Sequence, residues 1–179
     1  LEPDVVVIGK AIGGGIPSGA YGLSASLARR LLERDDLDLI DMGGVGGTLA
    51  GSPLSVAAMR ATLGEVLTDA AFESMIATAT AFTSGVQDII DRYDLPWSIN
   101  QLGARAEYRF ARPYPLSGTA SADSADETLE DFLHLYLSNR GILLTPFHNM
   151  ALMSPVTTVA DVETHHRVFE DAVRELLGT

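Results

Sequence analysis

Apolar and polar positions along this chain follow two periods. Residues 5–8, Val-Val-Val-Ile, form an unbroken β-branched run, which predicts a strand covered on both faces, as in the parallel sheet of an α/β domain. Helical spacing takes over across 24–34, where Leu27, Leu31 and Leu32 share a face and Ser24 is placed to cap it. It returns over 53–67, where Pro53 suits a first helical position. A fresh start at Thr68-Asp69 predicts a helix running to Tyr93 and ended by Leu95-Pro96.

Beyond that helix the pattern is α+β. Two short strands are expected within 97–110, broken at Gly103, followed by a Pro/Ser/Ala-rich loop over 113–123. Ser124-x-x-Glu127 reads as a capping box; the helix it opens is expected to bury Leu129, Phe132, Leu133, Tyr136 and Leu137 and to stop at Gly141. Strands follow at 142–145 and 150–153, then a last helix over 159–177 with Val162, Phe169, Val173 and Leu176 inward. The long helical passage divides the chain into residues 1–67 and 68–179.

The densest chemistry lies where the first strand ends. Lys10 follows Gly9 and opens the turn Ala11-Ile12-Gly13-Gly14-Gly15-Ile16-Pro17. Ligands gather at the carboxyl ends of such strands. A lysine held there is expected to be stripped of water, which favours the neutral, nucleophilic amine that a Schiff base needs. Two other readings stand beside this. One is a solvated strand end. The other is a phosphate loop, whose glycines would have to precede the lysine rather than follow it.

Residues 3–22, with Gly9-Lys10-Ala11-Ile12-Gly13-Gly14-Gly15-Ile16-Pro17 at their centre, resemble the cofactor-lysine segment of class III pyridoxal-phosphate aminotransferases. They look most like the branch that holds glutamate-1-semialdehyde aminomutase. A second segment, Gly46-Gly47-Thr48-Leu49-Ala50-Gly51-Ser52-Pro53, resembles the family's glycine-threonine turn. The resemblance implies an enzyme with Lys10 as the catalytic base and the residue that holds pyridoxal 5'-phosphate. It also implies that Gly47 and Thr48 bind the cofactor phosphate, in the neighbouring subunit of a homodimer with shared active sites. Backbone N–H groups and a hydroxyl ahead of a helix suit an anion; Thr48, or Ser52 before Pro53, reads equally as an ordinary N-cap.

The implied fold is the end of a fold-type I large domain (residues 1–67, with the start of the bridging helices) followed by a bridging helix and a small α+β carboxyl-terminal domain (68–179). The implied reaction moves an amino group between a small-molecule amino donor and a carbonyl acceptor, a keto acid or aldehyde. The alternatives are an intramolecular aminomutase of the glutamate-1-semialdehyde type and a non-catalytic fragment of the fold. The resemblance covers only the carboxyl-terminal part of such an enzyme. Alone, the first half is therefore not expected to fold well, because the rest of the sheet must come from elsewhere. Arg105 or Arg109 could hold a substrate carboxylate, although Glu107 midway between them offers ordinary ion pairs. The loop 145–149, which includes His148, is a further candidate; its Phe147 replaces an arginine that some relatives carry.

Composition narrows the partners. Twenty-four acidic against 12 basic residues give a net charge of −12, which argues against a nucleic-acid surface. No apolar run reaches the roughly 20 residues of a membrane span. Zero cysteines exclude disulfides and agree with a cytoplasmic setting. The four histidines show no metal-ligand spacing, so no metal is expected.

Overall fold

The computed structural model describes residues 2–34, 36, 47–146 and 148–178. The chain is mixed α/β and forms two compact units, Leu1–Thr68 and Asp69–Thr179.

In the first unit, strand β1 (Val5–Gly9) pairs antiparallel with β2 (Gly19–Leu23), Val5 opposite Leu23 and Gly9 opposite Gly19. The connection contains a 3-10 turn, Lys10–Gly13. Helix α1 (Ala25–Leu32) starts as expected at Ser24, whose Oγ accepts from the Leu27 N–H at 3.2 Å. The same hydroxyl donates to Asp4 Oδ1 at 2.9 Å, fastening the helix start to the foot of β1. Helix α2 (Pro53–Ala61) then widens into a π-helical turn, Thr62–Val66, closed by Leu67 N–H donating to the Thr62 carbonyl at 2.8 Å.

The expectation of a parallel neighbour is corrected here, whereas the exposed faces of β1 agree with the expectation that the rest of its sheet comes from elsewhere. The partner of β1 is antiparallel, and Val5 to Ile8 are exposed, Val7 to 77%. The β-branched run encodes a strand suited to full cover, but Ile12 is the one buried apolar residue of this unit among the described residues. Leu32 is exposed as well, so only Leu27 and Leu31 of the expected α1 face turn inward.

The second unit holds the core. Helix α3 (Asp69–Arg92) packs on β3 (Ser98–Leu102), β4 (Arg105–Arg109) and α6 (Val159–Leu177). The sheet is antiparallel in the order β3-β4-β5, with β5 at Met150–Leu152. Gly103 turns the β3–β4 hairpin at φ 58°. Alternation on β4 sends Ala106 and Tyr108 into the core, where Tyr108 meets Phe169 of α6 with ring centroids 5.2 Å apart. Phe82, Val86, Ile89 and Ile90 of α3 and Val168, Phe169, Ala172 and Val173 of α6 fill the space between. Each large apolar side chain buried this way contributes about 1.5–3 kcal/mol.

Helix α6 carries a true capping box. The Thr158 Oγ1 accepts from Asp161 N–H, while Asp161 Oδ2 accepts from Thr158 N–H at 2.8 Å.

Four local expectations differ. The loop over 113–123 contains a short helix, α4 (Gly118–Asp123), capped by Ser117. Asp126, not Ser124, caps helix α5 (Glu127–Ser138), accepting from Leu129 N–H at 3.0 Å; Ser124 instead closes α4 by donating to the Ser121 carbonyl. A carboxylate at a helix N-terminus also meets the positive end of the dipole, which favours Asp126 over a hydroxyl two residues earlier. Residues 142–145 form no strand; one backbone bond, Thr145 N–H to the Met150 carbonyl, is what the expected pairing leaves. Leu176 is exposed, near the end of α6 where the covering layer stops.

Candidate functional site

Lys10 stands where the extended backbone of Gly9 (φ −151°) passes into the turn, and it takes φ 56° itself. A left-handed conformation at a non-glycine residue costs roughly 1–2 kcal/mol. The strain is held by the turn that follows, in which Gly14 N–H donates to the Ala11 carbonyl at 3.1 Å and Ile16 N–H to the Gly13 carbonyl at 3.0 Å. Lys10 is exposed rather than stripped of water, and it enters no ion pair among the described residues.

Two glycines of the turn are fixed by their neighbours. A Cβ on Gly13 would stand 2.5 Å from Ser18 Oγ, and one on Gly14, itself at φ 56°, would stand 2.5 Å from Thr62 Oγ1. The π-helical turn therefore has a local purpose: it presents the buried Thr62 to the lysine turn. Ser18 Oγ is buried without a hydrogen-bond partner among the described residues. Neither Ser18 nor Thr62 was singled out by sequence reasoning. Ser18 follows Pro17 as an unremarkable polar residue, and Thr62 lies mid-helix in the pattern, where nothing signals widening.

Gly47 and Thr48 lie in the turn ahead of α2, Gly47 at φ 72° with its carbonyl accepting from Ala50 N–H at 3.1 Å. Gly46 lies outside the described residues. Thr48 is exposed and does not cap α2. That position belongs to Ser52, which makes no side-chain capping bond. A recess of about 340 Å³ brings Leu49, Ala50, Gly51 and Ser52 opposite Pro17 and Ser18, and Ser55 Oγ donates to the Pro17 carbonyl at 2.9 Å across it. The segment leaving the lysine turn and the segment leaving Thr48 thus share one concave wall, though neither Lys10 nor Thr48 lines it.

The arginine candidates belong to the second unit and are already engaged. Arg105, Glu107 and Arg109 point to one face of β4, and Glu107, only 3% exposed, meets Arg105 at 2.5 Å and Arg109 at 2.8 Å. The exposed His148 brings Nδ1 to 3.5 Å from the same carboxylate. Glu107 is therefore a buried carboxylate shared by two arginines, Arg105 about half exposed and Arg109 largely covered. Phe147 lies outside the described residues. No cluster of histidine and carboxylate that could hold a metal occurs among the described residues.

Comparison with known proteins identifies the family of the chain. The chain belongs to the class-III aminotransferase family, whose model matches residues 1–173. It is similar to glutamate-1-semialdehyde 2,1-aminomutase 2 of Geobacillus kaustophilus, 32% identical over 149 residues, covering 82% of this chain and 32% of that protein. The glutamate-1-semialdehyde 2,1-aminomutase of Aquifex aeolicus is 27% identical over 179 residues, covering 98% and 40%. Among solved structures, a lysine-to-alanine variant of a glutamate-1-semialdehyde-aminomutase from Pseudomonas aeruginosa PAO1 in complex with PMP superposes with a TM-score of 0.92 at 44% identity, covering 98% of this chain and 40% of that one. An omega-transaminase from Sphaerobacter thermophilus gives 0.74 at 27% identity, covering 96% and 38%. The chain spans about a third to two fifths of these relatives.

Proposed function

We propose that the protein carrying this chain is a pyridoxal-phosphate-dependent enzyme that moves amino groups, with Lys10 as its covalent anchor and proton carrier. The observation that carries this reading is the exposed Lys10 amine held at φ 56° on a turn whose Gly13 and Gly14 tolerate no side chain. Strain of this kind persists where the surroundings over-determine it, and it clusters at working sites. The residues fit the cofactor: an exposed amine at a strand end for its aldehyde, and the Gly47-Thr48 turn, whose hydroxyl has no partner among the described residues, for its phosphate. When bound, pyridoxal phosphate supplies that aldehyde carbon and an electron-withdrawing ring. Lys10 Nζ would hold that aldehyde carbon and, once released by a substrate amine, would carry a proton to or from the substrate carbon.

Two reactions of this class are open to such a site: transfer between an amino donor and a separate carbonyl acceptor, or migration within one molecule. The intramolecular reading is favoured by the names of the aminomutases at 27–44% identity, while the omega-transaminase likeness supports the other. Turnover without an added acceptor separates them. On this reading residues 1–67 end a large cofactor domain, residues 68–179 supply the bridging helix and small domain, and the protein is a cytoplasmic homodimer. No described helix is long and apolar enough to cross a membrane.

Borohydride reduction in the presence of pyridoxal phosphate should leave the pyridoxyl group on Lys10; peptide mapping that places it elsewhere, or nowhere, overturns the proposal. For Thr48, replacement by valine should weaken cofactor binding without loss of stability, since no cap is removed. Mixing Thr48→Val with Lys10→Ala subunits should restore part of the activity if Thr48 serves the neighbour's cofactor, because one of the two heterodimer sites then carries neither defect.

A further inference from the structure

Among the described residues of Leu1–Thr68, three are buried: Ile12, Gly13 and Thr62. Two belong to the turn that Lys10 opens, and the third meets that turn from the end of α2. The interior of this unit is therefore a single contact, and it adjoins the residue that carries the amine.

Helix α2 holds the turn at two places. Ser55 and Thr62 are seven residues apart, which puts them on one face of the helix. Ser55 Oγ donates to the Pro17 carbonyl at 2.9 Å. Thr62 rests against Gly14: a Cβ there would stand 2.5 Å from Thr62 Oγ1 and 3.8 Å from its Cβ and Cγ2, so the hydroxyl is the part that meets the turn. That hydroxyl has no hydrogen-bond partner among the described residues. The hydroxyls of Thr78 and Thr80, by contrast, donate to carbonyls four residues back along α3, at 2.9 and 3.0 Å. What Thr62 contributes is shape. Directly after it the helix widens, its carbonyl accepting from Leu67 N–H at 2.8 Å, and single π turns of this kind are frequent at working sites.

The turn needs such a hold. Lys10 and Gly14 bracket it, both at φ 56°, an angle that only glycine takes without strain. Unheld, Lys10 would relax to negative φ, and rotation there swings the amine at the end of its long flexible stem.

We propose that Thr62 is the positioning residue of Lys10: its hydroxyl, lodged against Gly14, pins the turn in the shape that holds the lysine amine ready for amino-group transfer. This rests on the reading of Lys10 given above and adds a residue that acts only through the turn.

The test uses the whole protein carrying this chain and three variants. Thr62→Ser keeps the hydroxyl and should match the unaltered protein. Thr62→Ala removes it, and exchange of the Gly14 and Ile16 amides, followed without cofactor, should quicken about tenfold, the scale of the strain released. With pyridoxal phosphate and an amino donor, kcat should fall about tenfold or more, as it does when a reacting group is misplaced, while KM for the donor stays within about twofold. Thr62→Val puts a bulkier methyl where the hydroxyl lies closest to Gly14. It should move the same readouts, and it serves if the alanine variant does not fold. Unmoved amides, or a serine variant that behaves like alanine, overturn the proposal. So does faster exchange with unchanged kcat, which would leave Thr62 a packing residue only. Borohydride labelling of the unaltered protein separates this from the reading beneath it: a pyridoxyl group missing from Lys10 strikes that reading and with it the role in transfer, and the amide exchange still decides whether Thr62 holds the turn.

Discussion

The imidazole of His166 occupies the space that a side chain at Gly85 would need. A Cβ on Gly85 would stand 2.5 Å from both ring nitrogens, and the ring is held there by Nε2 at 3.0 Å from the Phe82 carbonyl. Helices α3 and α6 can therefore pack closely at this point because residue 85 has no side chain. Gly85→Ala should raise helix propensity by about 1 kcal/mol yet lower net stability by up to about 2 kcal/mol, since overpacking costs about 1–3 kcal/mol. The opposing change His166→Ala should restore much of the loss; denaturant melts of the single and double variants measure the coupling.

Lys10 trades stability for position. Its left-handed backbone means that Lys10→Gly and Lys10→Ala, both expected to abolish turnover, should differ in stability, glycine being favoured by up to about 1 kcal/mol. Equal amide exchange around residues 5–23 in the two would show that the turn relaxes when the lysine is gone.

Glu107 holds two arginines. Removing one partner of a buried ion pair costs about 3–5 kcal/mol, but the Arg105 side chain is 46% exposed and can rehydrate. Glu107→Gln should therefore cost less, about 2 kcal/mol. Arg109, only 19% exposed, should account for most of it, so that Arg109→Leu in the Gln background recovers more than Arg105→Leu does.

Acid should weaken the second unit before its carboxylates titrate. Burial, and then the neighbouring His166, pushes the folded His165 down to about 3 against an ordinary value of 6.5, so between those values the unfolded chain binds the extra proton and stability falls as pH falls. Above 6.5 both states are neutral and nothing is lost. The slope approaches about 1.4 kcal/mol per pH unit at most. His165→Phe should flatten the part of the profile lying above the carboxylate range, which melts between pH 5 and 7 would reveal.

Much of this was legible in the sequence because local signals and tertiary needs agree. Thr68-Asp69, Leu95-Pro96, Gly103 and Gly141 punctuate the second unit as expected, and the Lys10 and Thr48 segments carry a family resemblance that the comparison confirms. Strand β2 was not legible: Gly19-Ala20-Tyr21-Gly22-Leu23 has two glycines and reads as an extension of the turn, and only pairing with β1 makes it a strand. The antiparallel pairing of β1 could not be read either, since a β-branched run specifies the kind of cover it suits but not the direction of its neighbour. His165 falls three residues after Val162 and four before Phe169, so helical spacing placed it on the buried face. That spacing could not show that its ring nitrogens would lack partners.

The uneven distribution of buried side chains carries a practical consequence. Because Ile12 is the sole buried apolar residue of Leu1–Thr68 among those described, a cooperative melt of this chain reports the helices and sheet of Asp69–Thr179 and is nearly blind to the turn that carries the amine. Local opening with few apolar contacts to resist it is fast and shallow. Amide exchange around residues 5–23 is accordingly the proper gauge of whether the reactive end is intact, and a preparation can look well folded by circular dichroism while its lysine has already lost its aim.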